Sequence, residues 1–341
     1  MSGQVVTFGE IMLRLNPPGY TRLVQTETFE ASYSGGEANV AVCLASLGLE
    51  AAYVSVVPPG PVGQAAVNAV RRYGVDTRWM LRQGDRLGLY FVERGASQRP
   101  SQVVYDRARS AIAQAEPSAY DWPAILDGAS WLHTTGITPA LGERPAAACL
   151  EAVQTAKRLG LTVSCDLNYR SKLWSRHQAG ATMGRLMEHV DLCIANEQDA
   201  QDVFGISAPD SDIDGGKLSR AGYVAVAREL AGRFGLERVA ITLRGSLSAS
   251  HNTWSGLLYQ DGEAFFTPTY DLTIVDRVGG GDSFGAGLIY ALQTGLGGQA
   301  AIDFAVAASA LKHSIEHDFA LITASEVAAL AAGNASGRVV R

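Results

Sequence analysis

Residues 161–195 read LTVSCDLNYRSKLWSRHQAGATMGRLMEHVDLCIA. The short β-branched run Leu161–Cys165 predicts a buried strand, and the longer apolar pattern of Gln178–Met187 predicts a helix. Asp191–Ala195 predicts a second buried strand. A strand, a helix and a strand in this order are typical of a βαβ unit with parallel strands, so this stretch decides the fold class.

The same alternation continues on both sides of this unit. Further strands are predicted over Ala51–Val57, Ser130–Thr135 and Arg238–Thr242, and further helices over Val62–Tyr73, Arg144–Leu159 and Tyr223–Phe234. The sequence therefore predicts an α/β fold, with a doubly wound, Rossmann-like, mostly parallel sheet flanked by helices in a single domain over residues 1–341. Sheets of this kind bind ligands beyond the carboxyl ends of their strands.

Two segments, residues 12–34 and 87–107, interrupt the alternation. The first holds a Pro17-Pro18-Gly19 turn between extended stretches, and the second holds the β-rich runs Leu89–Val92 and Gln102–Tyr105. We predict that they form a small antiparallel sheet inserted into the domain as a lid over the active site. An ordinary edge extension of the main sheet is the alternative.

Composition excludes several classes of protein. With 47% apolar and 18% charged residues, the chain has enough apolar side chains for the buried core of a globular enzyme. A net charge of −6 without a basic run argues against nucleic acid as a partner. No apolar stretch approaches the roughly 20 residues of a membrane span, and no signal-peptide pattern is present, so we expect a soluble, cytoplasmic protein. The four cysteines lack C-x-x-C spacing and are expected to be reduced core thiols.

The run DRVGGGDSF at residues 276–284 carries the strongest chemical pattern. Gly279, Gly280 and Gly281 precede a predicted helix, where unpaired amides and the helix dipole favour an anion. The carboxylate of Asp282 beside them is a candidate general base. This pairing suits phosphoryl transfer, although a glycine-rich helix cap is the alternative interpretation.

A second glycine motif, Ser34-Gly35-Gly36-Glu37-Ala38-Asn39, precedes another predicted helix. Gly35 and Gly36 allow a ligand to approach the backbone, and the Asn39 amide offers a donor and an acceptor to sugar hydroxyls. A helix cap again explains the motif alone.

Together the two motifs, in this order and separation, resemble the signatures of the ribokinase-like, or PfkB, carbohydrate kinases over essentially the whole chain. The resemblance implies that Asp282 is the catalytic base and that the amides of the three glycines stabilise the transferring phosphoryl group. It also implies ATP and Mg²⁺ as cofactors and a dimer or higher homo-oligomer formed through the lid. A monovalent cation near Asp276 is an option by analogy with relatives, and Lys312 is expected to face solvent.

The same resemblance assigns the nucleotide side of the site. Asn196 matches the start of the family's N-x-x-E motif, with Asp199 in place of the usual Glu, and Asp199 and Glu197 are candidate Mg²⁺ residues acting through water. Thr242, Gly245 and Ser309 are the expected nucleotide contacts.

The sugar side is similar to the 2-keto-3-deoxygluconate kinase subfamily. Tyr90, Tyr105, Arg107 and Arg170 match the subfamily's sugar-acid contacts in order and spacing. A guanidinium is well shaped for a carboxylate, so Arg107 and Arg170 are expected to clamp the acid. The implied reaction is phosphorylation of the terminal hydroxyl of 2-keto-3-deoxy-D-gluconate to 2-keto-3-deoxy-6-phosphogluconate.

Three alternatives stay open at this point. A PfkB kinase of a neutral sugar such as fructose or ribose, or of a nucleoside, would share both motifs. A non-catalytic sugar-binding protein could use the same scaffold, although the intact Asp282 argues against it. A dinucleotide-dependent oxidoreductase would need a G-x-G-x-x-G after the first strand, and none is present. The preference between the gluconate and galactonate epimers is not readable from the sequence.

Overall fold

A computed structural model describes residues 3–207 and 219–334, except for the side chain of Glu197. The strands, in chain order, are β1 (Gln4–Phe8), β2 (Met12–Asn16), β3 (Glu30–Ser34), β4 (Ala51–Val57), β5 (Met80–Arg82), β6 (Gly88–Glu93), β7 (Gln102–Asp106), β8 (Ala129–Thr135), β9 (Thr162–Asp166), β10 (Leu192–Asn196), β11 (Arg238–Ser246), β12 (His251–Gln260), β13 (Glu263–Phe266) and β14 (Tyr270–Thr273). The helices are α1 (Gly36–Leu47), α2 (Pro61–Arg71), α3 (Ala111–Gln114), α4 (Trp122–Ile125), α5 (Glu143–Arg158), α6 (Arg176–Met187), α7 (Glu197–Phe204), α8 (Arg220–Phe234), α9 (Gly280–Gln293), α10 (Gly298–Lys312) and α11 (Ala324–Ala331).

The predicted parallel sheet is confirmed. Its strands lie in the order β13-β12-β11-β10-β9-β8-β1-β4-β5, and β14 pairs with β12. Every pairing from β11 to β5 is parallel, whereas β12 pairs antiparallel with β11, β13 and β14. The buried strands are rich in β-branched and small apolar residues, as in β4, where every residue is buried. Such strands suit a sheet that is covered on both faces.

Helices cover both faces of this sheet and give two apolar clusters. One cluster contains buried residues of α5, α6 and α8, and the other contains buried residues of α1, α2, α9 and α10. Several of these helices start at residues that favour a helix N-terminus. Pro61 occupies the first turn of α2, and Ser175 and Gln178 form a capping box on α6. Helices on both faces confirm the doubly wound architecture.

A separate four-stranded sheet contains the two segments predicted as a lid. Its order is β3-β2-β6-β7. The prediction of an all-antiparallel sheet is wrong at its centre, because β2 and β6 pair in parallel, and only the two outer pairs are antiparallel. Each lid segment forms a hairpin-like antiparallel pair of strands, and the two segments meet through their first strands, β2 and β6, which run in the same direction.

None of the described helices has both the length and the apolar character that crossing a membrane requires. Cys43, Cys149, Cys165 and Cys193 are all free and buried, as expected for core thiols.

Candidate active site

A cavity of about 400 Å³ lies between the lid and the carboxyl ends of the parallel strands. The last residues of β9 and β10 supply Asp166 and Asn196 to its wall, β11 supplies Thr242 beside Asn196, and the lid supplies Tyr90 and Tyr105. Both glycine motifs also line it. The fold therefore brings the two motifs together at the edge where doubly wound sheets bind ligands.

The glycine run forms the N-terminus of α9. Gly279 is its N-cap with a left-handed φ of 85°, and a Cβ there would lie 2.2 Å from the carbonyl oxygen of Asp318. The Gly280 amide donates to the carbonyl of Arg277 (3.2 Å), so it is occupied by a turn. Within the described residues the Gly279 and Gly281 amides have no hydrogen-bond partner. The predicted cradle of three amides therefore has two available amides.

Gly280 is required by packing. A Cβ at this position would lie 2.6 Å from Cε1 of His313, whose Nδ1 donates to the carbonyl of Ser309 (2.7 Å). The imidazole occupies the space that a methyl group at this position would take. The glycine at position 280 thus has a local steric cause.

Asp282 lies in the first turn of α9 and faces the cavity. Its Oδ2 accepts a hydrogen bond from Nδ2 of Asn39 (2.6 Å), and its Oδ1 lies 3.6 Å from the point where a Gly36 Cβ would stand. Burial raises the pKa of Asp282 from 3.8 to about 6, while the Asn39 hydrogen bond acts in the opposite direction. A carboxylate with this pKa can accept a proton near neutral pH.

A pH dependence follows from this pKa. The carboxylate of Asp282 must be unprotonated to act as a base, so kcat/KM should fall about tenfold per pH unit below an apparent pKa of about 6. Asn39→Ala removes a donor that favours the ionised form, so the acid limb should move to higher pH. The matched control is Asn68→Ala on the exposed face of α2. An acid limb that stays in place in Asn39→Ala would contradict this role for the amide.

The N-terminal glycine motif has two different uses for its glycines. A Cβ on Gly35 would lie 1.8 Å from the carbonyl oxygen of Glu10, so this glycine permits a backbone crossing. Gly36 faces Asp282 across the cavity floor. Asn39, predicted to bind sugar hydroxyls, donates to Asp282 and accepts a weak bond from the Gly35 amide (3.5 Å). Its amide therefore positions the candidate base.

The lid tyrosines differ in their availability. Tyr90 is 3% exposed, and its hydroxyl donates to Oδ2 of Asp318 (2.7 Å) and contacts Oγ of Ser34. Tyr105 stacks on Tyr90 with ring centroids 5.9 Å apart and is 40% exposed. The Tyr90 hydroxyl is thus engaged in the interior, while Tyr105 can contact a ligand.

Arg107 lines the cavity, but its guanidinium is already paired. Its Nε donates to Oε2 of Glu10 (2.7 Å), its Nη2 contacts the same oxygen, and Ser110 Oγ contacts the other oxygen of Glu10. Both ionic side chains are buried. Arg107 therefore pairs with a carboxylate of the protein, from a residue distant in sequence, and its part in the predicted clamp of two arginines stays a prediction.

Arg170 is available. It follows β9 in the sequence, lines the cavity, is exposed, and has no ion-pair or hydrogen-bond partner for its guanidinium within residues 3–207 and 219–334. Burial raises the pKa of both Asp282 and Asp166, and the positive charge of Arg170 opposes that rise in each. Asp166, which was not among the predicted site residues, also lines the cavity.

The predicted magnesium residues lie at the start of α7. Asn196 caps this helix, accepting from the amides of Gln198 and Asp199 (both 2.9 Å), and the Asp199 carboxylate accepts from the amides of Asn196 and Tyr169. The side chain of Glu197 lies outside the described part of the structure. Among the described residues no group of three His, Cys, Asp or Glu side chains could hold a metal ion. The carboxylate of Asp199 lines the cavity, where it would hold a metal through water.

The nucleotide residues inferred by resemblance are only partly at the cavity. Thr242 lines it. Gly245 lies in β11 with Thr253 Oγ1 2.3 Å from its would-be Cβ, and Ser309 is fully buried with its hydroxyl donating to the Gly280 carbonyl (2.7 Å). Neither Gly245 nor Ser309 is among the residues that line the cavity, so Ser309 supports the glycine run from behind.

Two arginines that were not predicted line the same wall. Arg244 follows Thr242 by two residues on β11, and Arg277 lies in the glycine motif itself. Neither has a carboxylate partner in the described part of the chain, and the buried Nε of Arg277 has no hydrogen-bond partner there. Burial, together with the charge of Arg244, lowers the pKa of Arg277. The Arg277 guanidinium donates to the carbonyl of Ala249 (3.5 Å). Two guanidiniums without a carboxylate partner in the described residues, beside free helix amides, are an arrangement that favours an anion.

A buried ionic cluster joins the lid to the glycine run. Arg14 of β2 is fully buried, donating through Nη2 to Asp276 Oδ2 (2.6 Å) and through Nη1 to Asp318 Oδ1 (2.5 Å). Asp318 also accepts from Ser34 Oγ (2.8 Å) and the Tyr90 hydroxyl. The lid and the glycine run therefore share one set of charges.

The expectation that Lys312 faces solvent is wrong. Lys312 is 0% exposed, and its Nζ donates to the carbonyls of Asp276 (3.3 Å) and Ile315 (3.1 Å). The fold of the segment after α10 covers it, which the helical spacing of the sequence does not reveal.

Comparison with known proteins agrees with this geometry. The profile of the pfkB family carbohydrate kinases matches residues 2–315. The chain is 34% identical to a 2-dehydro-3-deoxygalactonokinase from Haloferax volcanii, over 99% of each chain. It is 47% identical to a 2-dehydro-3-deoxygluconokinase from Thermotoga maritima of known crystal structure, with a TM-score of 0.94 over 98% of this chain and 99% of that one. A protein described as ribokinase II from E. coli, solved with ATP and Mg²⁺, shares the fold at 20% identity, with a TM-score of 0.79 over 96% of this chain and 98% of that one.

Proposed function

Because this chain belongs to the pfkB family of carbohydrate kinases, we propose that it is an ATP- and Mg²⁺-dependent kinase of a sugar acid. The substrate that we propose is 2-keto-3-deoxy-D-gluconate, phosphorylated at its terminal hydroxyl to 2-keto-3-deoxy-6-phosphogluconate. The observation that carries the proposal is the position of Asp282 beside free helix amides, in a cavity that also holds the unpaired Arg170. Similarity to a 2-dehydro-3-deoxygluconokinase and to a 2-dehydro-3-deoxygalactonokinase supports the substrate class.

The residues divide the chemistry between them. ATP bound with Mg²⁺ supplies the phosphoryl group and neutralises part of its charge. Asp282 accepts the proton of the attacking hydroxyl, with Asn39 holding its carboxylate in place. The Gly279 and Gly281 amides donate to the phosphoryl oxygens, and Arg244 and Arg277 offset the remaining negative charge.

The sugar acid would be oriented from its other end. Arg170 pairs with the substrate carboxylate, and Tyr105 covers it from the lid. Gly36 leaves room for the carbon chain to pass close to Asp282. The lid then keeps water from the phosphoryl group, which is a common need of kinases.

A substrate panel tests the proposal directly. ATP-dependent phosphorylation should be measured with 2-keto-3-deoxygluconate, its galactonate epimer, fructose, ribose and adenosine. We expect kcat/KM to be highest for one of the two sugar acids, with the gluconate preferred. Higher values for fructose, ribose or adenosine would instead favour a kinase of neutral substrates, and no phosphate transfer to any of them would favour a non-catalytic binding protein.

Arg170→Ala should raise KM for the sugar acid roughly 10- to 100-fold with little change in kcat, because it removes a charge-assisted bond to the bound substrate. The matched control is Arg176→Ala, whose exposed side chain pairs with Asp202 on the surface. Steady-state kinetics on both variants, with a sugar lacking the carboxylate as second substrate, separates the effects. An unchanged KM for the acid would remove Arg170 from the binding site.

We also propose that the protein forms a dimer through the lid. Val104, on the outer strand β7 of the lid, is 49% exposed. Phe29, which directly precedes β3 of the same lid, is 42% exposed. Apolar surface of this kind suits an isologous contact. Size-exclusion chromatography with light scattering of the wild type and Val104→Asp should show a dimer that the substitution weakens; a monomeric wild type would contradict the proposal.

A further inference from the structure

Lys312 is a buried charge that the reaction described above does not use. It ends α10, has no exposed surface, and does not line the cavity. Its Nζ donates to two main-chain carbonyl oxygens, those of Asp276 and Ile315. A lysine is rarely buried so completely unless its ammonium is paired, so its surroundings must compensate its charge.

The surroundings do supply that compensation. The carboxylates of Asp276 and Asp318 act on the ammonium and oppose the effect of burial, which lowers the pKa of Lys312. Arg14 pairs with both carboxylates, so two cations balance two anions in this cluster. The cluster is thus neutral as a whole, and loss of Lys312 would leave it with an excess negative charge.

The two carbonyls belong to the segments that set the position of the glycine run. Asp276 starts the turn that leads into Gly279. Ile315 lies in the segment that leads to Asp318, whose carbonyl closely approaches Gly279. The Lys312 ammonium therefore ties together the two pieces of backbone between which the N-terminus of α9 is held.

An ammonium bound by main-chain carbonyls beside carboxylates has the type of ligands that a bound alkali cation takes. Burial raises the pKa of Asp282, and the charge of Lys312 is among the groups that oppose this rise and favour the ionised base. We propose that Lys312 is a positioning residue that serves as a built-in monovalent cation, holding the glycine run in its active geometry without an added cation. This inference rests on the proposed phosphoryl transfer.

The first experiment uses the wild-type protein. Turnover of the sugar acid is measured in potassium, sodium, ammonium and choline chloride at equal ionic strength, with Mg²⁺ and ATP fixed. Equal kcat in all four salts is the expected result, since the ammonium of Lys312 is already in place. A wild-type kcat that requires potassium or ammonium would overturn the proposal.

Two variants then separate charge from volume. Lys312→Ala leaves room for a small cation, whereas Lys312→Met fills that room with an uncharged chain of similar length. In choline chloride we expect kcat to fall roughly 10- to 100-fold in both, because the glycine run is displaced. Ammonium or potassium should restore most of the activity of Lys312→Ala and little of that of Lys312→Met. Failure of both cations to activate Lys312→Ala, or equal activation of the two variants, would refute the proposal.

A readout without substrate keeps the test independent of the proposed reaction. Thermal unfolding of both variants, without ATP or sugar, is followed in ammonium and in choline chloride. Binding of ammonium to the folded protein should raise Tm of Lys312→Ala more than that of Lys312→Met. An equal response of the two variants counts against a cation site. If no sugar acid is phosphorylated even by the wild type, the proposed function fails while this comparison still decides the role of Lys312.

Discussion

Replacement of Asp282 by Asn is expected to lower kcat by about 10²–10⁴-fold and to change KM only a few-fold. The amide keeps the volume of the carboxylate and its position over Gly36, but it cannot accept the proton of the attacking hydroxyl. Binding of the sugar acid through Arg170 and of the nucleotide beside α9 should persist. Steady-state kinetics with the sugar acid, with each substrate varied in turn, measures both constants.

A matched control for Asp282→Asn is Asp261→Asn. Asp261 lies at the exposed turn between β12 and β13 with a φ of 53°, a conformation that asparagine also tolerates. The control should keep full activity. If Asp282→Asn retained near-normal turnover, the catalytic base would have to be another group.

Replacement of Arg107 by Ala is expected to lower the free energy of unfolding by about 3–5 kcal/mol, because it leaves the buried carboxylate of Glu10 without its ionic partner. A residue that only binds substrate would not have this effect. Denaturant unfolding in the absence of ligands measures it. The free energy of unfolding of Arg107→Ala therefore distinguishes a substrate clamp from an internal ion pair without kinetic measurements.

A double-mutant cycle sharpens this second result. In a Glu10→Ala background, Arg107→Ala should lower the free energy of unfolding much less than in the wild type, because no buried carboxylate is then left without its partner. Additive effects of the two substitutions would show that the pair does not interact in solution. In that case Arg107 would be free for a substrate carboxylate, as the sequence had indicated.

The elements of the fold could be predicted because their signals are local. The β-branched run at Leu161–Cys165 and the alternation around it predict β9 and its neighbours to within a residue or two. The pairing within the lid could not be predicted in the same way. Whether β2 meets β6 in parallel depends on how two segments far apart in the chain approach each other, and no residue in either segment encodes that direction.

The candidate site divides along the same line. Asp282 and Gly279 could be predicted from a local sequence motif, and the structure places both at the cavity. The partner of Arg107 is Glu10, 97 residues away, and nothing in the sequence around Arg107 indicates it. Arg277 also has a local signal, because an arginine inside an anion-binding glycine run is itself a candidate phosphate contact.

The two central strands of the lid, β2 and β6, pair with each other but lie far apart in the chain. The elements α1, β4, α2 and β5 of the main body come between them in the sequence. No single excision can remove such a lid, and no single graft can transfer it to another kinase, since either operation needs two coordinated splices. Pairing of β2 with β6 closes a long loop of chain, which has an entropic cost. The lid should therefore assemble after the main body, which it covers.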